Sequence, residues 1–132
     1  MKTLHLSIIA GVVIAIAGIS VIVYEIFSTS IEIVGLQDSY KIGDQVKFSF
    51  VAKAYTIPCS YPEATLYKTN QPTVQLFELK FPPFMCPIGS PSLVTLYFPT
   101  NDTYSVTVTQ SGSYTLDVSY LDKETKKEFE VK

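Results

Sequence analysis

The hydrophobic pattern of the chain changes once, close to residue 30. From Leu4 to Tyr24 no side chain carries a full charge, and most are aliphatic. As a helix these residues would measure about 30 Å, which is the thickness of the hydrocarbon layer of a bilayer. A helix also satisfies its own backbone groups in lipid. The sequence therefore predicts a transmembrane α-helix over residues 4–27, preceded by a short N-terminus at residues 1–3.

A cleaved signal peptide is the alternative interpretation of the same segment. Lys2 supplies a basic start, and Ala15-Ile16-Ala17 is typical of a cleavage site. However, the apolar run continues to Val23, whereas the apolar core of a signal peptide is about 7–15 residues long. We therefore favour a retained, single-pass signal anchor in the cell membrane. Because Lys2 favours the cytoplasmic side, the N-terminus is expected inside and residues 28–132 outside.

Small residues recur at steps of three or four in the predicted helix. They are Ser7, Gly11, Ala15 and Gly18, and they fall within about 80° of the helix circumference. A stripe of this kind lets two helix backbones approach closely, so we expect contact with another membrane-protein subunit or with a second copy of the chain. Gly and Ala are also common in membrane helices that make no such contact, which leaves the alternative open.

After Ser30 the apolar residues alternate with polar ones, which is typical of strands with one buried face. The alternation is clearest over residues 46–54, 104–109 and 114–120. Three further strands are expected over 64–69, 74–81 and 93–98, and turn sequences such as 41–44 and 110–113 separate the segments. About seven or eight short strands within residues 28–132 suit a β-sandwich.

Two short motifs resemble the immunoglobulin-like domains of microbial envelope proteins. Residues 40–48, YKIGDQVKF, resemble an opening strand of such domains, and residues 112–118, GSYTLDV, are similar to their penultimate strand. The resemblance implies that Tyr114 is a corner tyrosine whose hydroxyl bonds to backbone upstream. The whole chain also resembles the small signal-anchored surface proteins of archaea, which implies a fold and a location but no task. The predicted fold class is therefore one N-terminal transmembrane helix followed by an all-β immunoglobulin-like sandwich.

The composition removes several classes of chemistry. All ten basic side chains are lysines, and the sole histidine, His5, lies in the apolar segment. A Ser-His-Asp or Cys-His catalytic pair therefore cannot form within residues 28–132, and neither can a histidine metal site. From residue 28 onward there are nine lysines and eleven acidic residues, which does not suit nucleic-acid binding. We expect no catalytic residues, no metal, no cofactor and no nucleic-acid partner.

Both cysteines lie in a proline-rich middle section, with Cys59 directly after Pro58 and Cys86 directly before Pro87. Outside the membrane, two cysteines in a small domain most simply form a disulfide. Closing this loop would stabilise the fold by about 3–4 kcal/mol if chain entropy dominates. The alternative is a Cu(I) site formed by the cysteines and Met85. Because a blue-copper site needs two histidines, we favour the disulfide.

The same section contains candidate docking residues and a modification sequence. Phe77, Phe81, Phe84 and Met85 follow or belong to a strand that has apolar side chains on both faces. Either they complete a core beneath a folded loop, or they form a surface for another subunit. Asn101-Asp102-Thr103 is an N-glycosylation sequence, so Asn101 is expected in an exposed loop.

These features predict a non-catalytic accessory or stabilising subunit of a larger membrane or envelope complex. The link from Glu25 to Ser30 reaches only about 20 Å when extended, so the β-domain is expected close to the bilayer. Both the helix and the β-domain would then contact neighbouring membrane proteins. The alternative is a free-standing surface module that binds a ligand, a glycan or a cell-wall component.

Overall fold

The computed structural model describes residues 19–20, 28–56, 60–80 and 89–132. Within these ranges the chain forms nine strands, so the prediction of an all-β domain is confirmed. They are β1 (Ser30–Val34), β2 (Ser39–Tyr40), β3 (Gln45–Thr56), β4 (Glu63–Lys68), β5 (Gln71–Leu79), β6 (Ser92–Phe98), β7 (Tyr104–Thr107), β8 (Gly112–Tyr120) and β9 (Lys123–Val131). The number exceeds the expected seven or eight because β2 has only two residues, which is too few to produce an alternating pattern.

The predicted fold class is wrong in its helical part. The described residues are all-β, and among them no helix is long and apolar enough to cross a membrane. Hydropathy and length indicate that a segment is compatible with lipid, but they do not by themselves determine its secondary structure. Of the predicted helix over residues 4–27, the structure describes only Ile19 and Ser20. The residues of the predicted packing face, Ser7, Gly11, Ala15 and Gly18, lie outside the described residues.

The strands form two sheets. The first has the order β1-β3-β6, with β7 also paired to β3, and the second has the order β2-β9-β8-β4-β5. The pairs are antiparallel except for β2 and β9, which run parallel. The twelve-residue strand β3 organises the first sheet, because β7 pairs with its first four residues and β6 with its last seven.

The core lies between the two sheets. Alternate residues of β3 point inward and are fully buried, as expected for a strand with one buried face. The first sheet supplies Val46, Phe48, Phe50, Ala52 and Ala54, and the second supplies Leu66, Leu116, Val118 and Phe129. Phe48 in β3 contacts Phe77 in β5 edge to face, with ring centroids 5.4 Å apart. The two inner faces therefore pack directly on each other, and the fold is sandwich-like.

The predicted turn at residues 41–44 leads into β3. The backbone N–H of Asp44 donates to the carbonyl oxygen of Lys41 over 3.0 Å, and the N–H of Lys41 donates to the Asp44 carboxylate over 2.8 Å. Gly43 has a φ of 92°, a left-handed conformation that glycine adopts without a steric penalty. Its N–H donates to the oxygen of Val108 over 2.7 Å, which ties the turn to the residue that follows β7.

Candidate docking surface

The first sheet presents apolar side chains to solvent as well as to the core. Because the even-numbered residues of β3 point inward, its odd-numbered residues form the outer face. The strand register puts Val51 beside Tyr97 and Tyr55 beside Leu93 on this face. Val34 of β1 lies on the same face, opposite Ser49. We call Val34, Val51, Tyr55, Leu93 and Tyr97 the tyrosine face.

Four of the five side chains of the tyrosine face are exposed, and Val51 is half-buried. The exposed fraction is 60% for Tyr97, 56% for Leu93, 49% for Tyr55 and 41% for Val34. A single exposed apolar residue is ordinary, whereas a contiguous group on one sheet indicates an interaction site. From strand spacing and residue rise, the five side chains cover about 160 Å². This is less than the roughly 800 Å² per partner of a standard protein–protein interface.

Two charged residues lie among the apolar side chains on this face. Glu32 of β1 lies in the same cross-strand row as Val51, and Lys53 of β3 lies in the same row as Thr95. Both charged side chains are exposed. A molecule that covers the tyrosine face must therefore accommodate one carboxylate and one ammonium group next to two phenol rings.

The outer face of the second sheet has the opposite character. The Lys126 ammonium lies 2.8 Å from the Asp117 carboxylate and 2.7 Å from that of Glu124. The hydrogen bond to Asp117, followed by that to Glu124, raises the pKa of Lys126. The hydrogen bond from Lys126 lowers the pKa of Glu124. These groups are in contact with water and already pair with one another. A partner that covered this second face would therefore gain little binding free energy from them.

A shallow depression of about 90 Å³ lies beside β5. Its lining includes Lys68, Val74, Leu76, Gln110 and Tyr114. Small-molecule sites commonly enclose about 300–1,000 Å³, and the lining has no carboxylate or imidazole for proton transfer. Within the described ranges there is also no group of three His, Cys, Asp or Glu residues that could hold a metal ion. The depression therefore does not have the features of an active site.

Of the four residues predicted to dock a partner, the structure describes only Phe77. Phe77 is half-buried and packs on the core, with its ring centroid 5.4 Å from those of both Phe48 and Tyr104. Of the two interpretations that the sequence leaves open, these contacts favour a core residue, and a docking role for Phe77 stays a prediction. Phe81, Phe84 and Met85 lie outside the described residues, as do Cys59 and Cys86 of the predicted disulfide.

Tyr114, the predicted corner tyrosine, and Asn101, the predicted glycosylation residue, both lie among the described residues. The Tyr114 hydroxyl donates to the backbone oxygen of Gln110 over 2.8 Å, and its ring stacks on Phe129 at a centroid distance of 5.6 Å. The hydroxyl thus bonds to backbone four residues upstream. Asn101 is exposed between β6 and β7. Next to it, the Asp102 carboxylate accepts a hydrogen bond from the Thr103 N–H over 2.7 Å.

Sequence reasoning misses the tyrosine face for a physical reason. The alternation over residues 46–54 and 93–98 predicts which side chains share a face within one strand. It does not indicate that these two strands are neighbours, and the cluster exists only because they are. The available signal is that Tyr55 and Tyr97 occupy outward positions where polar residues are usual.

Comparisons with known proteins identify no family for this chain. No protein-family model matches the sequence, and no curated protein matches it. Among solved structures, the chain is similar to a mutant β-glucosidase from Listeria innocua in complex with laminaribiose, with a TM-score of 0.48 and 11% identity. The similarity covers 80% of this chain and 16% of the β-glucosidase, so this chain spans a small part of that enzyme's length. A similarity at this level carries no argument about function.

Proposed function

We propose that the chain is a non-catalytic accessory or stabilising subunit of a larger envelope complex, and that it binds a protein partner through the tyrosine face. The observation that carries the proposal is the difference between the two outer faces. One face has lysines and carboxylates that pair with each other, whereas the other exposes two tyrosines and aliphatic side chains on adjoining strands. Tyrosine is enriched among the residues that dominate binding energy at protein interfaces.

A folded protein surface suits this face better than a small molecule does. The five side chains lie on the outer face of a sheet, so a ligand would be covered from one side only, whereas small-molecule sites bury most of the ligand. Lys53 lies between the Val51–Tyr97 row and the Tyr55–Leu93 row, so a partner must pair its charge within the face and not at the margin. We expect the partner to bring a basic group to Glu32 and an acidic group to Lys53, since a buried unpaired charge would oppose binding.

In this proposal the domain lies outside the cytoplasm and is immunoglobulin-like. The uncharged sequence from Leu4 to Tyr24 after Lys2 supports export, because export signals have this charge pattern whether they are cleaved or retained. The two-sheet arrangement and the hydrogen bond from Tyr114 to Gln110 support the immunoglobulin-like assignment. A single histidine and the absence of arginine support a role without catalysis.

The test compares two tyrosines on opposite outer faces. Tyr55→Ser removes a ring from the tyrosine face, and Tyr67→Ser removes an outward ring from the second sheet, where Tyr67 lies opposite Thr115. The full-length chain and both variants are extracted in mild detergent from the native membranes and sized. The co-purifying subunit is identified, produced separately and titrated against each purified chain. We expect Tyr55→Ser to weaken binding by at least about tenfold and Tyr67→Ser to leave it unchanged.

Two results would contradict the proposal. The first is a wild-type chain that is extracted as a species no larger than a dimer of itself, which would favour the free-standing surface module. The second is equal binding by the two variants, because the partner would then not contact the tyrosine face. Thermal unfolding of each variant separates a binding effect from a folding effect, which matters most for Tyr67 because its side chain is half-buried.

A further inference from the structure

The edge strands of the two sheets differ in how well they are protected against pairing with another strand. Proline, charged side chains, short length and bulges are the usual protections. In the described ranges β2 and β7 have only two and four residues, and β1 has Glu32 at its centre. β5 contains Pro72 and is irregular, because its register against β4 shifts twice near Tyr67.

Strand β6 has none of these protections. Its sequence, Ser92–Phe98, is SLVTLYF, which contains neither a charged residue nor a proline. All seven residues pair with β3 in one regular register, from Ser92 opposite Thr56 to Phe98 opposite Phe50. Among the described residues, no strand pairs with the other edge of β6. A regular, uncharged edge with high β-propensity is a template for a further strand.

We propose that β6 pairs antiparallel with β6 of a second copy of this chain, about a twofold axis through Thr95. The sequence around Thr95 is self-complementary for this arrangement. Leu93 would lie opposite Tyr97 of the second copy on the outer face, and Val94 would lie opposite Leu96 of the second copy on the inner face. The two Thr95 side chains would face each other at the axis. Aromatic–aliphatic and Thr–Thr pairs of this kind stabilise antiparallel strands.

The charge distribution favours a second copy over an unrelated strand. A twofold axis puts each residue near its own equivalent, so a charged strand would bring like charges together. β6 is uncharged, and the outward charge nearest to it is Lys53, one strand away from the new interface. The pairing would join the two first sheets into one, in the order β1-β3-β6-β6-β3-β1. It would also double the apolar outer area, from about 160 Å² to about 320 Å².

The test puts a charge at the twofold axis. Thr95→Glu places two carboxylates face to face in the dimer, while within one copy the new carboxylate lies opposite Lys53 and is favourable. Thr107→Glu is the matched control, because Thr107 is also exposed and also pairs with β3, opposite Gln45. The full-length chains are compared by analytical ultracentrifugation in a detergent whose contribution to the mass is matched out.

We expect the wild type and Thr107→Glu to reach twice the chain mass of 14.7 kDa, and Thr95→Glu to dimerise at least about tenfold more weakly. An equimolar mixture of Thr95→Glu and Thr95→Lys should restore the dimer, since opposite charges then meet at the axis. A purely folding effect would not be rescued in this way. A wild type that stays monomeric at high concentration would overturn the proposal. So would a dimer that Thr95→Glu leaves intact, which would indicate that the chain dimerises elsewhere.

The dimer proposal is independent of the proposed accessory function. Tyr55 belongs to β3 and lies away from the pairing edge, so Tyr55→Ser tests partner binding without changing β6. Loss of the dimer with retained binding of Tyr67→Ser to the partner would leave the accessory function standing. If the dimer is retained but Tyr55→Ser and Tyr67→Ser bind the partner equally well, the dimer proposal stands and the proposed accessory function fails.

Discussion

Phe48 of β3 and Phe77 of β5 meet edge to face across the sandwich, with an interplanar angle of 84°. Phe48 is fully buried and Phe77 is half-buried, so this contact closes the core on the side where β5 forms the edge of its sheet. An edge-to-face pair brings the positive rim of one ring to the negative face of the other. The contact therefore links the two sheets at a position that has no further strand beyond β5 among the described residues.

The first prediction concerns this contact. Phe77→Ala should lower the free energy of unfolding by about 3 kcal/mol, because it removes a large ring from the interface between the sheets. Phe77→Leu should cost less than Phe77→Ala, since most of the volume is kept. Urea unfolding of the purified chain measures both. If Phe77→Ala unfolded like the wild type and weakened partner binding instead, Phe77 would be a docking residue rather than a core residue.

The second prediction concerns the hydrogen bond of Tyr114. Tyr114→Phe should destabilise the chain by about 1 kcal/mol, because the ring stays in place while the backbone oxygen of Gln110 loses its donor. Tyr97→Phe is the control. The Tyr97 side chain is 60% exposed, so water can hydrogen-bond to its hydroxyl in both the folded and the unfolded chain. Chemical denaturation of the two variants provides the comparison. Equal stability of Tyr114→Phe and the wild type would mean that water replaces the Tyr114 hydroxyl without loss.

The third prediction concerns Tyr120, in the same strand as Tyr114. Its side chain is 1% exposed, and its hydroxyl has no hydrogen-bond partner among the described residues. A buried hydroxyl without a partner costs about 1–3 kcal/mol, so Tyr120→Phe should leave stability unchanged or raise it by about 1 kcal/mol. Of the two Tyr→Phe changes in β8, only Tyr114→Phe is therefore expected to lower stability. A loss of stability in Tyr120→Phe as large as that in Tyr114→Phe would indicate a bound water or another partner at this hydroxyl.

Local sequence rules predict the inner face of β3 and the turn that precedes it. The alternation from Val46 to Ala54 matches the buried positions, and glycine at residue 43 matches the left-handed turn. Both features depend on a few consecutive residues, so the sequence contains all the information they need. The hydrogen bond of Tyr114 to backbone upstream is instead implied by the resemblance to immunoglobulin-like domains, and the structure identifies the acceptor as Gln110.

Strand order and register are harder to predict, and the candidate site depends on them. Phe77 lies opposite Leu66 and faces the core, whereas the register shift that follows leaves Val74 and Leu76 exposed near the edge. This irregularity explains why the strand has apolar side chains on both faces. A one-residue shift exchanges the two faces of a strand, and no local pattern in the sequence indicates where the shift occurs.

The fourth prediction concerns alkaline pH. Burial raises the pKa of Tyr104, Tyr114 and Tyr120 above the ordinary value of 10.0, because the interior disfavours the charged phenolate. In the unfolded chain these phenols ionise near pH 10, while in the folded chain they keep their protons to higher pH. The folded state then binds more protons, so the contribution of these three groups to the free energy of unfolding should be constant below about pH 9.5 and should fall as the pH rises further.

Denaturation at a series of pH values, together with the ultraviolet absorbance of phenolate, measures this effect. Tyr120→Phe should reduce the slope of stability against pH above pH 10, because it removes one of the three groups. Tyr97→Phe serves as the control, since the side chain of Tyr97 is largely exposed. The ion pairs of Lys126 also weaken in this range, so the comparison is made between the variants rather than with an absolute slope. A slope that Tyr120→Phe leaves unchanged would mean that this phenol ionises equally easily in the folded and unfolded chain.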